Sequence, residues 1–336
     1  MDTFSIFYVH SQRCEILAMI NFEGGLIVMI HIRVPATSAN MGPGFDSIGI
    51  ALQLYNNIWV EEIPSGVQIE IKKEQPIPIP TDEHNLIYQT MQHFYAQKNL
   101  PMPGVHIIQS DDIPMVRGLG SSAACIVGGL LAANALAGNP CTKEELAIMA
   151  ANLEGHPDNS NPAIFGSLVV GAMQEKNMKH VRLELPEDLI FAIMVPDFPV
   201  STEKARGVLP DAYSRSDVVF NVSRAALLVA SLMTGKYENL KIAMQDCVHQ
   251  PYRKVLIPHM EDIFAHAEQN GALACYLSGA GSTLMAMITK DKAETFQKTM
   301  TEYFATLPNH WELKLLQPDM EGAAVMTQVQ EEAKQC

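Results

Sequence analysis

A chain of 336 residues, 48% apolar and only 18% charged, has the apolar content for one large or two moderate domains and too little charge to be disordered. Its formal net charge of −14 argues against nucleic acid as a partner, which needs a positive surface, and leaves room for a small anion such as a nucleotide only in a local cationic pocket with a metal. The cysteines Cys14, Cys125, Cys141, Cys247, Cys275 and Cys336 form no CxxC pair and no zinc spacing, which fits a reducing cytoplasm, and no uninterrupted apolar run reaches about 18 residues, so no membrane span is expected.

Residues 1–28 lack the cationic start and small-residue cleavage site of a signal peptide. Glu23-Gly24-Gly25 is encodable by a purine-rich ribosome-binding run just upstream of Met29. Residues 1–28 are therefore expected to be a non-native N-terminal extension, with an ordinary N-terminal strand as the alternative. A first domain is expected over 29–185. Strand patterns run over Ile30–Pro35, Leu54–Glu61 and Val67–Lys73. A proline-rich break leads to a helix at Leu86–Gln97 and a strand at Val105–Ser110. A small-residue apolar helix over Ala123–Ala137 reads as buried all round, and Thr142-x-x-Glu145 is a capping box that opens the next helix. Strands follow at Ser167–Met173 and His180–Leu185.

A second domain is expected over 186–336. It offers strands at Ile190–Val195, Leu273–Leu277, Thr283–Ile288 and Trp311–Leu316, and helices at Ser216–Thr234, Pro258–Gln269 and Lys290–Ala305. Strands and helices mix without regular alternation, so the fold class is α+β in two parts.

The stretch VRGLGSSAACIVGG, from Val116 to Gly129, is the strongest local signal. Glycines between a strand and a helix let the backbone approach a ligand, and the first amides of the helix have no intrahelical partner. With the helix dipole they make an anion site. A serine-capped helix after a plain turn has the same appearance, and the Gly-Lys-Ser/Thr of a P-loop is absent.

Further stretches change the weighing. PMVRGLGSSAA resembles the second motif of the GHMP kinases; VPATSANMGPGFDSIGIAL (Val34–Leu52) resembles the first motif in its homoserine kinase form; LSGAGST (Leu277–Thr283) resembles the third. EGHPDN (Glu154–Asn159), STEKAR (Ser201–Arg206) and HQPYR (His249–Arg253) are similar to the same branch, in the same order, from Met29 to the C-terminal region. The resemblance implies a ribosomal-protein-S5-like ATP-binding domain followed by a ferredoxin-like domain. It implies a cytoplasmic homodimer that phosphorylates L-homoserine with ATP and magnesium, the step feeding threonine biosynthesis.

The same resemblance assigns residues. The loop of Pro114, Met115, Val116, Arg117, Gly118, Leu119, Gly120, Ser121, Ser122, Ala123 and Ala124 would wrap the ATP phosphates, with Asn85 and Leu86 on the adenine side. Arg117 would neighbour a phosphate or lie in solvent, and Asn85 is equally a helix cap. Ser122 and Glu154 would hold magnesium; Leu146, Met149, Ala150 and Leu153 set a helix stripe that Glu154 borders, and a solvated terminal Glu is the plain alternative. Arg206 and Arg253 would take the substrate carboxylate and Asp46 its ammonium, with His156 and Asn159 lining the pocket. Asn40 would orient the hydroxyl, and Thr202 would hold a phosphate oxygen or the hydroxyl.

Several GHMP kinases use an Asp base assisted by a Lys. Here Thr37 stands at the Lys position, and Asn159 or Asp158 at the Asp position. Direct attack by the hydroxyl, with no base, is the expected mechanism. Ser160, Asn161 and Ser282 depart from the family pattern. A mevalonate or cytidyl-erythritol kinase is disfavoured by the zwitterion-binding set, and a non-enzymatic sensor by the intact loop.

Overall fold

The computed structural model describes residues 5–11, 14–20 and 26–326, with side chains from 29 to 326. The expectation about residues 1–28 falls on positions whose side chains lie outside the described residues. Two backbone strands there, β1 (Ser5–Ser11) and β2 (Cys14–Ile20), pair antiparallel, and β2 pairs with the start of β3 (Leu26–Ala39).

β3 and β4 (Ile48–Ile63) are the long strands of the first lobe. Their register shifts between Pro35 and Ala36. Proline has no N–H for the ladder, so a bulge belongs there. Below the bulge β4 pairs with β7 (Leu168–Gln174); above it β4 pairs with β6 (Gly104–Asp111), which carries β5 (Val67–Ile71) in parallel. β8 (Asn177–Leu183) completes that edge against β7. The helices α1 (Leu86–Lys98), α2 (Ser121–Leu136), α3 (Lys143–Glu154) and α4 (Ser160–Phe165) lie between these strands in sequence. α2 is enclosed by α1, α3, α4 and β3, which is why small apolar residues occupy nearly every position.

The second lobe is an antiparallel sheet in the order β10 (Ala274–Leu277), β11 (Leu284–Thr289), β9 (Leu189–Pro196), β12 (Trp311–Leu316). All eight residues of β9 are buried. Phe191, Ile193 and Val195 join the core shared with the first lobe. Ile190, Ala192 and Met194 face a second core under α9 (Met260–Gln269) and α10 (Ala293–Phe304). Each large apolar side chain fully buried in this seam contributes roughly 1.5–3 kcal/mol, so the lobes are welded rather than hinged on a linker. The helices α5 (Thr202–Gly207), α6 (Arg215–Thr234), α7 (Leu240–Ala243) and α8 (Gln250–Arg253) connect β9 to α9.

The last strand, β13 (Ala324–Met326), returns to pair with β3. Asp319 N–H donates to Ala51 O (2.9 Å), and Gln53 N–H to Gln317 O (3.0 Å). Residues 317–326 are thus built into the first lobe, although the sequence reading placed all of 186–336 in the second. Among the described residues α6 is the one helix long and apolar enough to cross a membrane by length and composition. It carries Arg215, Asp217 and Arg224, and its Asn221 side chain is tied to Pro43 O (2.8 Å) and to the N–H of Cys247 (3.2 Å). Those bonds make it a lobe helix packed on the first-motif turn.

Candidate active site

A cavity of about 720 Å³ opens between the lobes. Its floor is the N-terminus of α2. Gly120 is the N-cap, with φ of 70° and no side-chain cap, and no acidic residue occupies the first turn. Ala124 N–H is the first to turn back, to Gly120 O at 2.8 Å. The amides of Ser121, Ser122 and Ala123 therefore lack intrahelical partners at the cavity wall, where the dipole favours an anion. A Cβ on Gly120 would sit 1.9 Å from Thr37 Oγ1, and one on Gly118 2.2 Å from Ser278 O. The loop is bare because it is pressed between the other two motifs.

Most of the anticipated loop lines the cavity: Met115, Val116, Arg117, Gly118, Leu119, Gly120, Ser121, Ser122 and Ala123. Pro114 and Ala124 do not. Ala124 is fully buried in the hydrophobic core instead. Arg117 lines the cavity and also holds the loop. Its Nε donates to Pro196 O and its Nη2 to Asp197 O, both at 3.1 Å, so the guanidinium ties the loop to the end of β9.

Glu154 ends α3, but the buried stripe of that helix is Leu146, Ala147, Ala150 and Ala151. Leu153, expected in the stripe, is instead exposed at the cavity mouth. The stripe is rotated by one residue, and Glu154, at i+4 from Ala150, continues its line as a half-buried residue at the helix end. Burial pushes its carboxyl above the usual range; the Asp158 carboxylate adds to this, while His156 and a hydrogen bond with Ser122 oppose it. Ser122 and Glu154 thus meet at the floor. Their hydroxyl and carboxylate are hard oxygen donors of the kind magnesium takes.

The wall facing the floor is charged. Asp46, at φ of 54°, accepts from Arg206 through Nη2 at 3.0 and 3.3 Å and Nη1 at 3.3 Å. Arg253 is buried and spends Nε on Ala205 O (3.1 Å) and Nη1 on Gly279 O (2.8 Å). Burial, with the nearby Arg206 charge, lowers its pKa to about 10. His156 Nδ1 meets the buried Asp158 carboxylate at 2.5 Å. Burial alone would lower the imidazole's pKa; Asp158, Glu154 and Asp46 outweigh it, and the net shift is upward.

Asn40, at φ of 71°, donates to Gly279 O (3.0 Å) and accepts from Asp46 N–H (3.1 Å). Its amide thus fixes the first-motif turn to the third motif as well as lining the cavity. Thr202 stands exposed at the cavity in the first turn of α5, behind the Ser201 cap. Asn159 Oδ1 accepts from Thr37 Oγ1 at 2.8 Å. Of the two residues aligned with an Asp, Asn159 is therefore the one facing Thr37, and Asp158 faces His156.

At the other end Asn85 caps α1, accepting from Ile87 N–H (2.9 Å) and Tyr88 N–H (3.4 Å). Its amide nitrogen donates to Pro80 O (2.9 Å) and Gln109 (3.3 Å). Leu86 is exposed beside it at the cavity. Gln109 and Asp111, which the sequence reading did not single out, also line this end. Their place at the end of β6, directly before the loop, was the available signal. The departures Ser160 and Asn161 are buried at the start of α4 and do not line the cavity. Ser282 donates to Phe198 O (2.6 Å) and locks the third-motif turn.

An anion-binding helix start, an acidic partner for a cation and a charged wall, enclosed by two lobes of this topology, define a small-molecule kinase of the GHMP class. Residues 85–167 match the model of the GHMP kinases N terminal domain, and residues 227–306 that of the GHMP kinases C terminal. The chain is 50% identical over 263 residues to the homoserine kinase of Petrotoga mobilis, covering 78% of this chain and 86% of that one. It is 45% identical over 299 residues to the homoserine kinase of Clostridium novyi, covering 89% and 99%. The crystal structure of homoserine kinase from Cytophaga hutchinsonii superposes with a TM-score of 0.81 at 28% identity, covering 89% and 97%. The chain belongs to the homoserine kinase family.

Proposed function

We propose that the protein transfers the γ-phosphoryl group of ATP to the side-chain hydroxyl of L-homoserine, giving O-phospho-L-homoserine. The observation that carries this reading is one cavity holding both an uncapped helix N-terminus and, across from it, the Asp46, Arg206 and Arg253 set suited to an amino-acid zwitterion.

In this reading the α2 amides and the loop backbone hold the phosphates in line with the hydroxyl, and Leu86 and Asn85, the cap of α1, shape the adenine end. Ser122 and Glu154 would hold magnesium, which would supply positive charge against the phosphate oxygens. Arg206 and Arg253 take the substrate carboxylate, Asp46 the ammonium, and His156 and Asn159 close the pocket. Asn40 and Thr202 orient the hydroxyl. Phosphoryl transfer depends mainly on positioning and electrostatics. The Thr37–Asn159 pair is neutral and has no carboxylate to act as a base. The hydroxyl oxygen therefore attacks phosphorus, the bond to ADP breaks, and the hydroxyl proton passes to a phosphoryl oxygen.

A cytoplasmic homodimer is part of this proposal; free thiols at Cys125, Cys141, Cys247 and Cys275 support a reducing compartment. The test is ADP release with ATP, magnesium and a panel of L-homoserine, mevalonate and galactose. Release with homoserine alone is expected. Release with another alcohol, or with none, rejects the reading.

A further inference from the structure

The two side chains assigned to opposite ends of the substrate zwitterion hold each other. Asp46 lies in the first-motif turn and Arg206 at the end of α5, and their contact is the two-oxygen fork an arginine makes with a free carboxylate. The geometry points to an internal stand-in for the substrate. We propose that the ligand binds by exchange: its ammonium replaces Arg206 on Asp46, while its carboxylate replaces Asp46 on Arg206. This inference rests on the proposed function above.

Three features support exchange over simple addition. The pair is half-exposed, with side-chain accessibilities of 34% for Asp46 and 41% for Arg206, so water competes and the pair is easily opened. Among the described residues the Arg206 guanidinium hydrogen-bonds to Asp46 alone, whereas that of Arg253 is fixed by two backbone carbonyls and stays in place. The Phe45 ring lies under both guanidinium groups, 5.7 Å from that of Arg206 and 5.3 Å from that of Arg253. An aromatic face supports a guanidinium without dictating its partner.

The consequence is selectivity for zwitterions. A ligand with one charge opens the pair and leaves its other member alone. A ligand with both charges restores both contacts. The penalty on half-matched ligands is the strength of an exposed pair, about twofold to fivefold in affinity.

The test uses the full chain with a non-hydrolysable ATP analogue and magnesium. A crystal structure with L-homoserine should show Asp46 and Arg206 beyond hydrogen-bond distance, each on its end of the ligand; an intact pair beside bound ligand overturns the proposal. Calorimetry supplies the solution arm with 4-hydroxybutyrate, which keeps the carboxylate and lacks the ammonium. Asp46→Asn should bind it about twofold to fivefold more tightly than the native protein, while binding homoserine more weakly. Asp158→Asn removes a nearby carboxylate without touching the pair. An equal gain there, or no gain in Asp46→Asn, assigns nothing to exchange and overturns it. Native protein that binds the nucleotide analogue but not homoserine rejects the proposed function itself.

Discussion

Thr37 donates its hydroxyl hydrogen to Asn159 Oδ1 at 2.8 Å, across 122 residues of sequence, directly over the Gly120 cap. Both groups are neutral, and the nearby Asp158 is turned to His156 instead. If no side chain takes the substrate proton, Asp158→Asn should disturb the pocket without removing a base. Its kcat should fall less than about 10²-fold, with homoserine KM rising and the shape of the pH–rate profile kept. Loss beyond about a thousandfold together with a vanished pH limb would assign Asp158 as a base.

Gly120 tests the loop itself. An alanine there adds a Cβ 1.9 Å from Thr37 Oγ1 and places an L side chain at φ of 70°. The left-handed conformation costs about 1–2 kcal/mol, and the clash pushes Thr37 off Asn159. Gly120→Ala should lower Tm by several degrees and raise the ATP KM about tenfold or more. Native-like ATP affinity in the folded variant would remove the loop from the phosphate site.

The two arginines should separate. Arg206→Ala removes an exposed pair worth at most about 1 kcal/mol, so Tm stays near native while homoserine KM rises about tenfold or more. Arg253→Ala strips the donor from Ala205 O, at roughly 1–3 kcal/mol for a buried acceptor left unpaired, and removes one of the two donors to Gly279 O, which keeps Asn40. It should lose both Tm and homoserine affinity. Equal Tm in the two variants would show that Arg253 has no structural task.

What the sequence made legible was whatever local chemistry determines. The GLGSS loop, the Thr142–Glu145 capping box and the continuous apolar run of β9 each sit where expected, because propensity and burial agree there. α5 went unread because six residues carry no period. β13 went unread because an edge of three residues gains its identity only from β3. The stripe of α3 was placed one residue off, since Leu153 is apolar yet spent on the cavity rim. Asp46 and Arg206 were each singled out, but their contact spans 160 residues and no local pattern encodes it.

Asp111 should leave a mark on stability against pH. It is buried, and burial raises its pKa to about 6, against the opposing hydrogen bond from Gln109 Nε2 (2.6 Å). The unfolded chain titrates near 3.9. The folded state therefore holds this proton more tightly, and stability is lost as pH rises from about 4 to about 6, by on the order of 3 kcal/mol. Asp111→Asn removes that loss. The Tm difference, variant minus native, should be larger at pH 7.5 than at pH 4.5; a difference independent of pH would refute the assignment.

Glu154 should show function and stability pulling in opposite directions. Its carboxyl is held above the usual range chiefly by burial, and Asp158 adds to the cost of ionising it. A raised carboxyl favours the protonated folded state, so stability falls as pH rises past the ordinary carboxylate range. Glu154→Gln keeps the shape and still accepts from Ser122, but carries no charge to desolvate. Without metal at pH 8 the variant should melt higher than the native protein. If the carboxylate is there to meet magnesium, the same substitution should lower kcat and raise the magnesium concentration needed for half-maximal rate. Adding magnesium with an ATP analogue should then stabilise the native protein more than the variant. The two effects have one cause, a negative charge kept in a dry place for a cation. A variant that melts higher yet turns over at the native rate at every magnesium concentration would leave Glu154 as a buried helix end and nothing more.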